Sequence, residues 1–313
     1  MPGGGPQGAY AREETPGMKI LCAIDGSRHS QWALDWLPHV CSPDDCSLLL
    51  VHAIDMTQFK SLSKRDRKTR LALVNLLDCS LEGAARVLEW AELKAAASWG
   101  PVRAKLLRGS PADAVARSAK REQADLLVIG SRGVTEFQPM LLGSVSRKLL
   151  MQAPCPVLAV KKPANRLKRV VLGADGSIES WEAVAWLRRL PEHSRPAVTV
   201  ASVIPPLPME SLRVPSRVLA VGNQVEGVLR REAQKLAARV AGTLRKAGFS
   251  AKGVVLSGHP GVELVTAAGR ELANLIIVGS RSGRSAHEYF MGSVADTVVK
   301  HAPCSVLVYR CTG

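Results

Sequence analysis

Aromatic residues make up only 4% of the 313-residue chain. That scarcity argues against a stacking platform for single-stranded nucleic acid. No stretch approaches the ~18 uninterrupted apolar residues of a membrane-spanning helix, so a membrane protein is not expected. Seven cysteines (Cys22, Cys41, Cys46, Cys79, Cys155, Cys304 and Cys311) contain no Cys-x2-Cys pair, and the seven histidines form no His-Glu-x-x-His pattern. A metal cage built by the protein alone is therefore not expected. The chain also lacks a Gly-x4-Gly-Lys-Ser/Thr loop, and no Gly-x-Gly-x-x-Gly follows its first strand. Residues 1–17 are rich in Gly and Pro and lack the basic start and apolar core of a secretory signal. They read as a disordered tail. The simplest setting is a reducing cytoplasm, in which Cys155 and Cys304 act as small apolar residues rather than redox thiols.

Acidic charge is also short, with 27 Asp and Glu against 42 Lys and Arg, a net of +15. Such an excess attracts polyanions. Its distribution weakens the nucleic-acid reading, because residues 18–160 carry +5 and residues 169–313 carry +7. The densest basic run, residues 60–70, is expected to be a solvated face.

What the chain does have is an internal repeat. The run from Ile20 to Ser27 (ILCAIDGS) returns as Val170 to Ser177 (VVLGADGS), and Trp36-Leu37 as Trp186-Leu187, both 150 residues on. Asp125–Arg132 (DLLVIGSR) returns as Asn274–Arg281 (NLIIVGSR), and Ala153-Pro-Cys155 as Ala302-Pro-Cys304, both 149 on. One domain has been written twice: residues 18–162, a basic linker over 163–168, and residues 169–313. In the first copy, apolar runs predict strands near 19–24, 47–54, 102–108, 126–129 and 157–160. Helical periodicity predicts helices from Ser27 or Ser30, over 71–98, over 112–122 and over 144–151. Strands near 169–174, 198–204, 252–257, 275–278 and 305–309, with a long helix near 225–247, repeat the order. This alternation predicts an α/β fold with two tandem, open, twisted, five-stranded parallel sheets flanked by helices.

Chemistry is expected where strands feed helices at the carboxyl edge of such a sheet. Gly130 and Gly133 follow a buried strand, and Gly143-Ser144 opens the next helix. Glycines there admit positive φ and close approach of phosphate, and a helix N-terminus attracts anions. The hydroxyls of Ser144 and Ser146 can add hydrogen bonds. Asp25, at the end of the first strand, can hold a ribose hydroxyl or, through water, a magnesium ion; it can equally be a turn residue of Asp-Gly-Ser. Arg132 and Arg281 can neutralise phosphate or lie on the surface. Trp36 and Trp186 are expected in the core, and His52 in a structural role.

Taken together, Asp-Gly-Ser after strand 1, Gly-x2-Gly-x9-Gly-Ser, and the trailing Ala-Pro-Cys-Pro-Val-Leu resemble the universal stress protein family, in its tandem two-domain form. The resemblance covers about 290 residues and implies a Rossmann-like, adenine-nucleotide alpha hydrolase-like fold that binds ATP, with magnesium near Asp25 if a metal accompanies it. It places adenine near Ala23, Ile24, Asp25 and Ala53, and ribose and phosphates near Ile129, Gly130, Arg132, Gly133, Gly143, Ser144, Val145 and Ser146. The second copy offers Gly173, Ala174, Asp175, Val203, Val278, Gly279, Arg281, Gly292, Ser293 and Val294. It departs from the pattern at Ser282, which stands where Gly133 does, with Gly283 one place late, and at Ala295, which replaces Ser146. A full site is expected in the first copy and a weakened one in the second.

The resemblance implies a cytoplasmic, ATP-binding stress-response protein. A nucleotide-free scaffold and a slow ATP hydrolase are the alternatives, though no catalytic residue can be named. It also implies that the two copies pair within one chain through the last strands, Val157–Val160 and Val306–Val308. A homodimer of whole chains is left open.

Overall fold

The computed structural model describes residues 17–56, 67–100, 102–133, 142–163, 166–206, 216–280 and 291–310. The tail at 1–16, most of the basic run at 60–70, and Arg281, Ser282 and Gly283 lie outside them. In the first copy, β1 (Met18–Ala23), α1 (Arg28–Val40), β2 (Cys46–Ile54), α2 (Arg67–Trp99), β3 (Arg103–Arg108), α3 (Pro111–Arg121), β4 (Leu126–Gly130), α4 (Ser144–Gln152) and β5 (Val157–Val160) follow one another. The second copy repeats this with β6 (Arg169–Gly173), α5 (Ile178–Arg188), β7 (Ala197–Ile204), α6 (Ser216–Lys246), β8 (Ala251–Ser257), α7 (Pro260–Arg270), β9 (Leu275–Gly279), α8 (Ser293–His301) and β10 (Ser305–Tyr309).

The two predicted five-stranded sheets are joined into one sheet of ten strands, in the order β3-β2-β1-β4-β5-β10-β9-β6-β7-β8. Within each copy all pairings are parallel. The join is antiparallel, with Val306 opposite Ala159, Leu307 opposite Leu158 and Val308 opposite Val157. It is the expected pairing of last strands, and it covers two edges that a separated copy would expose. One apolar core lies on each face. One packs α1, α2, α5 and α6 against the sheet, the other α3, α4, α7 and α8, and both run through the two copies without a break. Trp36 and Trp186 are core residues as expected. No helix among the described residues is long and apolar enough to cross a membrane.

The join also carries a reciprocal exchange of cations. Lys161, directly after β5, donates to the carbonyl of Ala302 at the end of α8, 3.0 Å away. Arg310, directly after β10, donates to the carbonyl of Leu150 in the last turn of α4, at 3.1 Å. Each cation meets the negative end of a helix belonging to the other copy. Burial pulls the Lys161 ammonium from 10.5 down to about 8, with Arg132 and Lys162 adding repulsion against the opposing influence of Cys304. An ammonium with a lower pKa in the fold than in the unfolded chain takes up a proton on unfolding between those two values. Its contribution therefore makes the protein more stable as pH rises from about 8 towards 10.5. Melting temperatures measured at pH 7 and pH 10 should show wild type gaining on Lys161→Met at the higher pH; an unchanged gap counts against it.

Cys41, which closes α1, and Cys46, which opens β2, lie side by side with Cα atoms 6.5 Å apart. The short turn Pro43–Asp45 between them brings the ends of helix and strand together. Cys22, Cys155 and Cys304 are free and buried. Burial pushes the Cys155 and Cys304 thiols up to about 12, which leaves them protonated apolar residues.

Candidate functional site

The chain order reverses at β1, since β2 lies on one side of it and β4 on the other. A crevice forms at such a point, beyond the carboxyl ends of the strands. All twelve residues expected of a first site line one cleft there: Ala23, Ile24, Asp25, Ala53, Ile129, Gly130, Arg132, Gly133, Gly143, Ser144, Val145 and Ser146. The cleft encloses about 500 Å³.

Its floor is built by a cap that both copies share. The Asp25 Oδ1 accepts the Ser27 amide at 2.9 Å, and Asp175 does the same for Ser177. Ser27 Oγ accepts the Ser30 amide at the N-terminus of α1, and Ser30 Oγ donates back to the Ser27 carbonyl. Ser177 and Ser180 repeat this at the start of α5. The turn role of Asp25 is thus real, and it occupies one carboxylate oxygen. The other, Oδ2, faces Gly133, where an added Cβ would come within 3.0 Å of it.

Positive φ, one of the two reasons expected for the site glycines, is not what they supply. Gly26, Gly109 and Gly176 have positive φ. Gly130 and Gly133 do not, and Gly143 sits at φ −61 as the residue that caps α4. Gly130 is required by packing, because a Cβ there would stand 2.8 Å from both the His29 carbonyl carbon and the Ser30 nitrogen. Close approach of α1 to the end of β4 explains it. At Gly133 the open space belongs to the cleft and to the Asp25 carboxylate.

Ser146 also departs from expectation. Its hydroxyl donates to the Gly130 carbonyl at 2.7 Å. Its proton is therefore committed to tying α4 to β4 and is not offered to a phosphate. The Gly143 amide donates to the Ser131 carbonyl at 2.8 Å, a second tie between the same elements. The α4 helix is further held to α3 by Lys148, whose Nζ lies 2.8 Å from Asp113 Oδ2. The hydrogen bond from Lys148, helped by one from Gln152, pulls the Asp113 carboxyl down to about 2.

His52, read from the sequence as a structural residue near the site, lines the cleft, as do Ser30, Val51, Asp55, Pro111, Val115 and Leu149, which were not expected there. His52 has the structural contact predicted for it, with Nδ1 2.6 Å from the Ile24 carbonyl. A carbonyl only accepts, so Nδ1 carries a proton and donates it to Ile24. The position of His52 one residue before Ala53, at the strand end already implicated, was the available signal. Among the described residues no group of three His, Cys, Asp or Glu is arranged to hold a metal ion.

The second cleft encloses about 130 Å³ and is lined by Gly173, Ala174, Asp175, Val203, Val278, Gly279, Gly292 and Val294, together with Ala201, Pro260, Leu264 and Ala295. Ser293 is not among its lining residues, and Arg281 lies outside the described residues. Its lining differs at several places, among them Gly173 where the first copy has Ala23. Val203 stands where the first copy has Ala53, and Leu264 where it has Val115. The Leu264 side chain approaches the position that a Gly173 Cβ would take, to within 3.0 Å. Small-molecule sites span about 300–1,000 Å³. The first cleft falls inside that range and the second below it.

Comparison with known proteins agrees with the duplicated architecture. A family model described as the universal stress protein family matches twice, over residues 18–161 and 166–310. A universal stress protein of Methanocaldococcus jannaschii is 31% identical over 146 residues, which is 46% of this chain and 82% of the relative. One from Thermus aquaticus is 35% identical over 142 residues, 45% of this chain and 97% of the relative. The crystal structure of a universal stress protein from Archaeoglobus fulgidus has the same fold, with a TM-score of 0.63 at 20% identity, covering 94% of this chain and 98% of that one.

Proposed function

Since the chain belongs to the universal stress protein family, we propose that it is a cytoplasmic stress-response protein that binds one ATP in the first-copy cleft. The observation that carries this is the convergence of all twelve expected residues on one cleft of suitable size. Adenine would lie against the main chain at Ala23, Ile24 and Ala53. The ribose would meet Asp25 through Oδ2, the oxygen left over from the turn. Phosphates would meet the N-terminus of α4 at Gly143–Val145, where the helix dipole favours anions, with Arg132 on the same cleft wall. Magnesium, if it arrives with the nucleotide, would be held mainly by the phosphates, with Asp25 Oδ2 reaching it through water only in place of the ribose hydroxyl.

The arrangement supports binding and regulation in preference to turnover. Among the described residues of the cleft wall, His52 is the only imidazole, with Nδ1 held by the Ile24 carbonyl, and no lysine is present. The second cleft would be empty or weakly occupied at its 130 Å³.

Nucleotide-stripped full-length protein titrated with ATP in a calorimeter tests the proposal. One ATP per chain is expected. Absence of binding sinks it, and two equal sites would overturn the assignment to the first copy. In the same titration Gly133→Ala should weaken ATP by about tenfold, roughly 1.4 kcal/mol, because its Cβ displaces the Asp25 carboxylate. Unchanged affinity would show that Asp25 does not touch the ligand.

A further inference from the structure

We infer that Arg310, contributed by the second copy, is a positioning residue of the first-copy cleft, so that the phosphate end of that cleft is held in shape by the other half of the chain. The inference rests on the nucleotide reading above and adds to it where the geometry of the anion-binding end comes from.

The argument starts at Leu150. A helical carbonyl is normally satisfied by the amide four residues on, but residue 154 is proline and has no N–H. The Leu150 carbonyl is therefore an orphan acceptor in the last turn of α4. The Arg310 Nη2 lies 3.1 Å from it. Arg310 is itself buried, only 9% exposed, so its charge and donors are committed within the protein rather than to solvent. The guanidinium also stands near Cys155, which follows the same helix.

At nine residues, α4 is a short helix with both ends under constraint. Its N-terminus forms the cleft wall at Gly143–Ser146, tied to β4 through Ser146 and Gly143. Its flank is tied to α3 through Asp113, an exposed contact of the kind that contributes little. The buried anchor at its other end is Arg310. Releasing the C-terminal turn of so short a helix lets its axis tilt, and the tilt is felt at the N-terminal amides that would meet phosphate. Adenosine would lack that contact, since the base and sugar end of the cleft is built from β1, β2 and the Asp25 turn. The corresponding cation after β5, Lys161, lands on the cap residue Ala302 of α8, so the second copy has a similar anchor for its narrower cleft.

The test uses the full chain with Arg310→Met and Arg310→Lys, and its two arms separate this inference from the one beneath it. In nucleotide-free protein, hydrogen exchange of the α4 amides should quicken by roughly tenfold in Arg310→Met, leave α7 unaffected, and recover in Arg310→Lys. Unchanged α4 exchange overturns the inference whether or not ATP binds. In titrations, Arg310→Met should weaken ATP by roughly tenfold while leaving adenosine unchanged, with Arg310→Lys restoring most of the loss. Equal loss for ATP and adenosine, or no loss for ATP, also overturns it. Wild-type protein that binds neither ligand sinks the nucleotide reading instead.

Discussion

Leu307→Asp is expected to abolish cooperative folding of the intact chain, and Leu307→Ala to lower its stability by about 3–4 kcal/mol. Leu307 is fully buried in β10, directly opposite Leu158 in β5, and both point into the core shared by α1, α2, α5 and α6. Aspartate there loses the burial of a leucine, roughly 1.5–3 kcal/mol. It also places a carboxylate with no partner at the centre of the sheet, which adds several kcal/mol. The sum approaches the about 5–15 kcal/mol that a domain has in total. Urea unfolding followed by circular dichroism gives the size for the alanine variant and a broad or missing transition for aspartate. Leu158→Ala should behave like Leu307→Ala. The double alanine variant should be less destabilised than the sum of the two, because the residues share one cavity. A loss below about 1 kcal/mol for Leu307→Ala would mean that this side chain is not packed in solution as it is here.

Gly130→Ala should remove about 2–3 kcal/mol of stability and reduce ATP affinity in the same variant. The added Cβ meets two main-chain atoms of α1 at 2.8 Å, and main chain cannot rotate away as a side-chain tip would. The helix must move off β4, taking with it the Ser27 and Ser30 cap and the Asp25 turn that floor the cleft. The Ser146 bond to the Gly130 carbonyl would be disturbed as well. Thermal unfolding and ATP titration of the same preparation read the two effects. An alanine variant of wild-type stability would show that α1 sits further from β4 than 2.8 Å implies.

Much of this molecule is legible in its sequence. The repeat offsets of 149 and 150 implied one fold twice, and the family resemblance implied where the copies meet. Periodicity placed the elements to within a few residues; the long second helix of each copy starts earlier than expected, at Arg67 and Ser216. All the first-site positions fall on one cleft, because strand ends and helix starts are local features of the chain. What was not legible depends on distance through space. A glycine shows that a Cβ is absent, and only the approach of α1 to Gly130 reveals why. Val203 and Leu264 look like ordinary strand and helix residues, and their bulk matters because both face one small volume. Arg310 is a lone cation near the chain end until the proline at 154 and the Leu150 carbonyl are brought to it. Ser146 matched the family pattern, yet its proton is spent within the scaffold.

The antiparallel join of β5 and β10 gives the molecule a direction. Each cleft opens beyond the carboxyl ends of its own strands, and those strands run oppositely in the two copies. The roomy cleft and the narrow one therefore face opposite rims of the sheet. Two ample clefts would make the object look the same from either rim. Under the proposed function, the rim with the roomy cleft would be the one that changes with nucleotide. A partner approaching the first rim could sense occupancy, while one bound at the far rim would meet the same surface in every state.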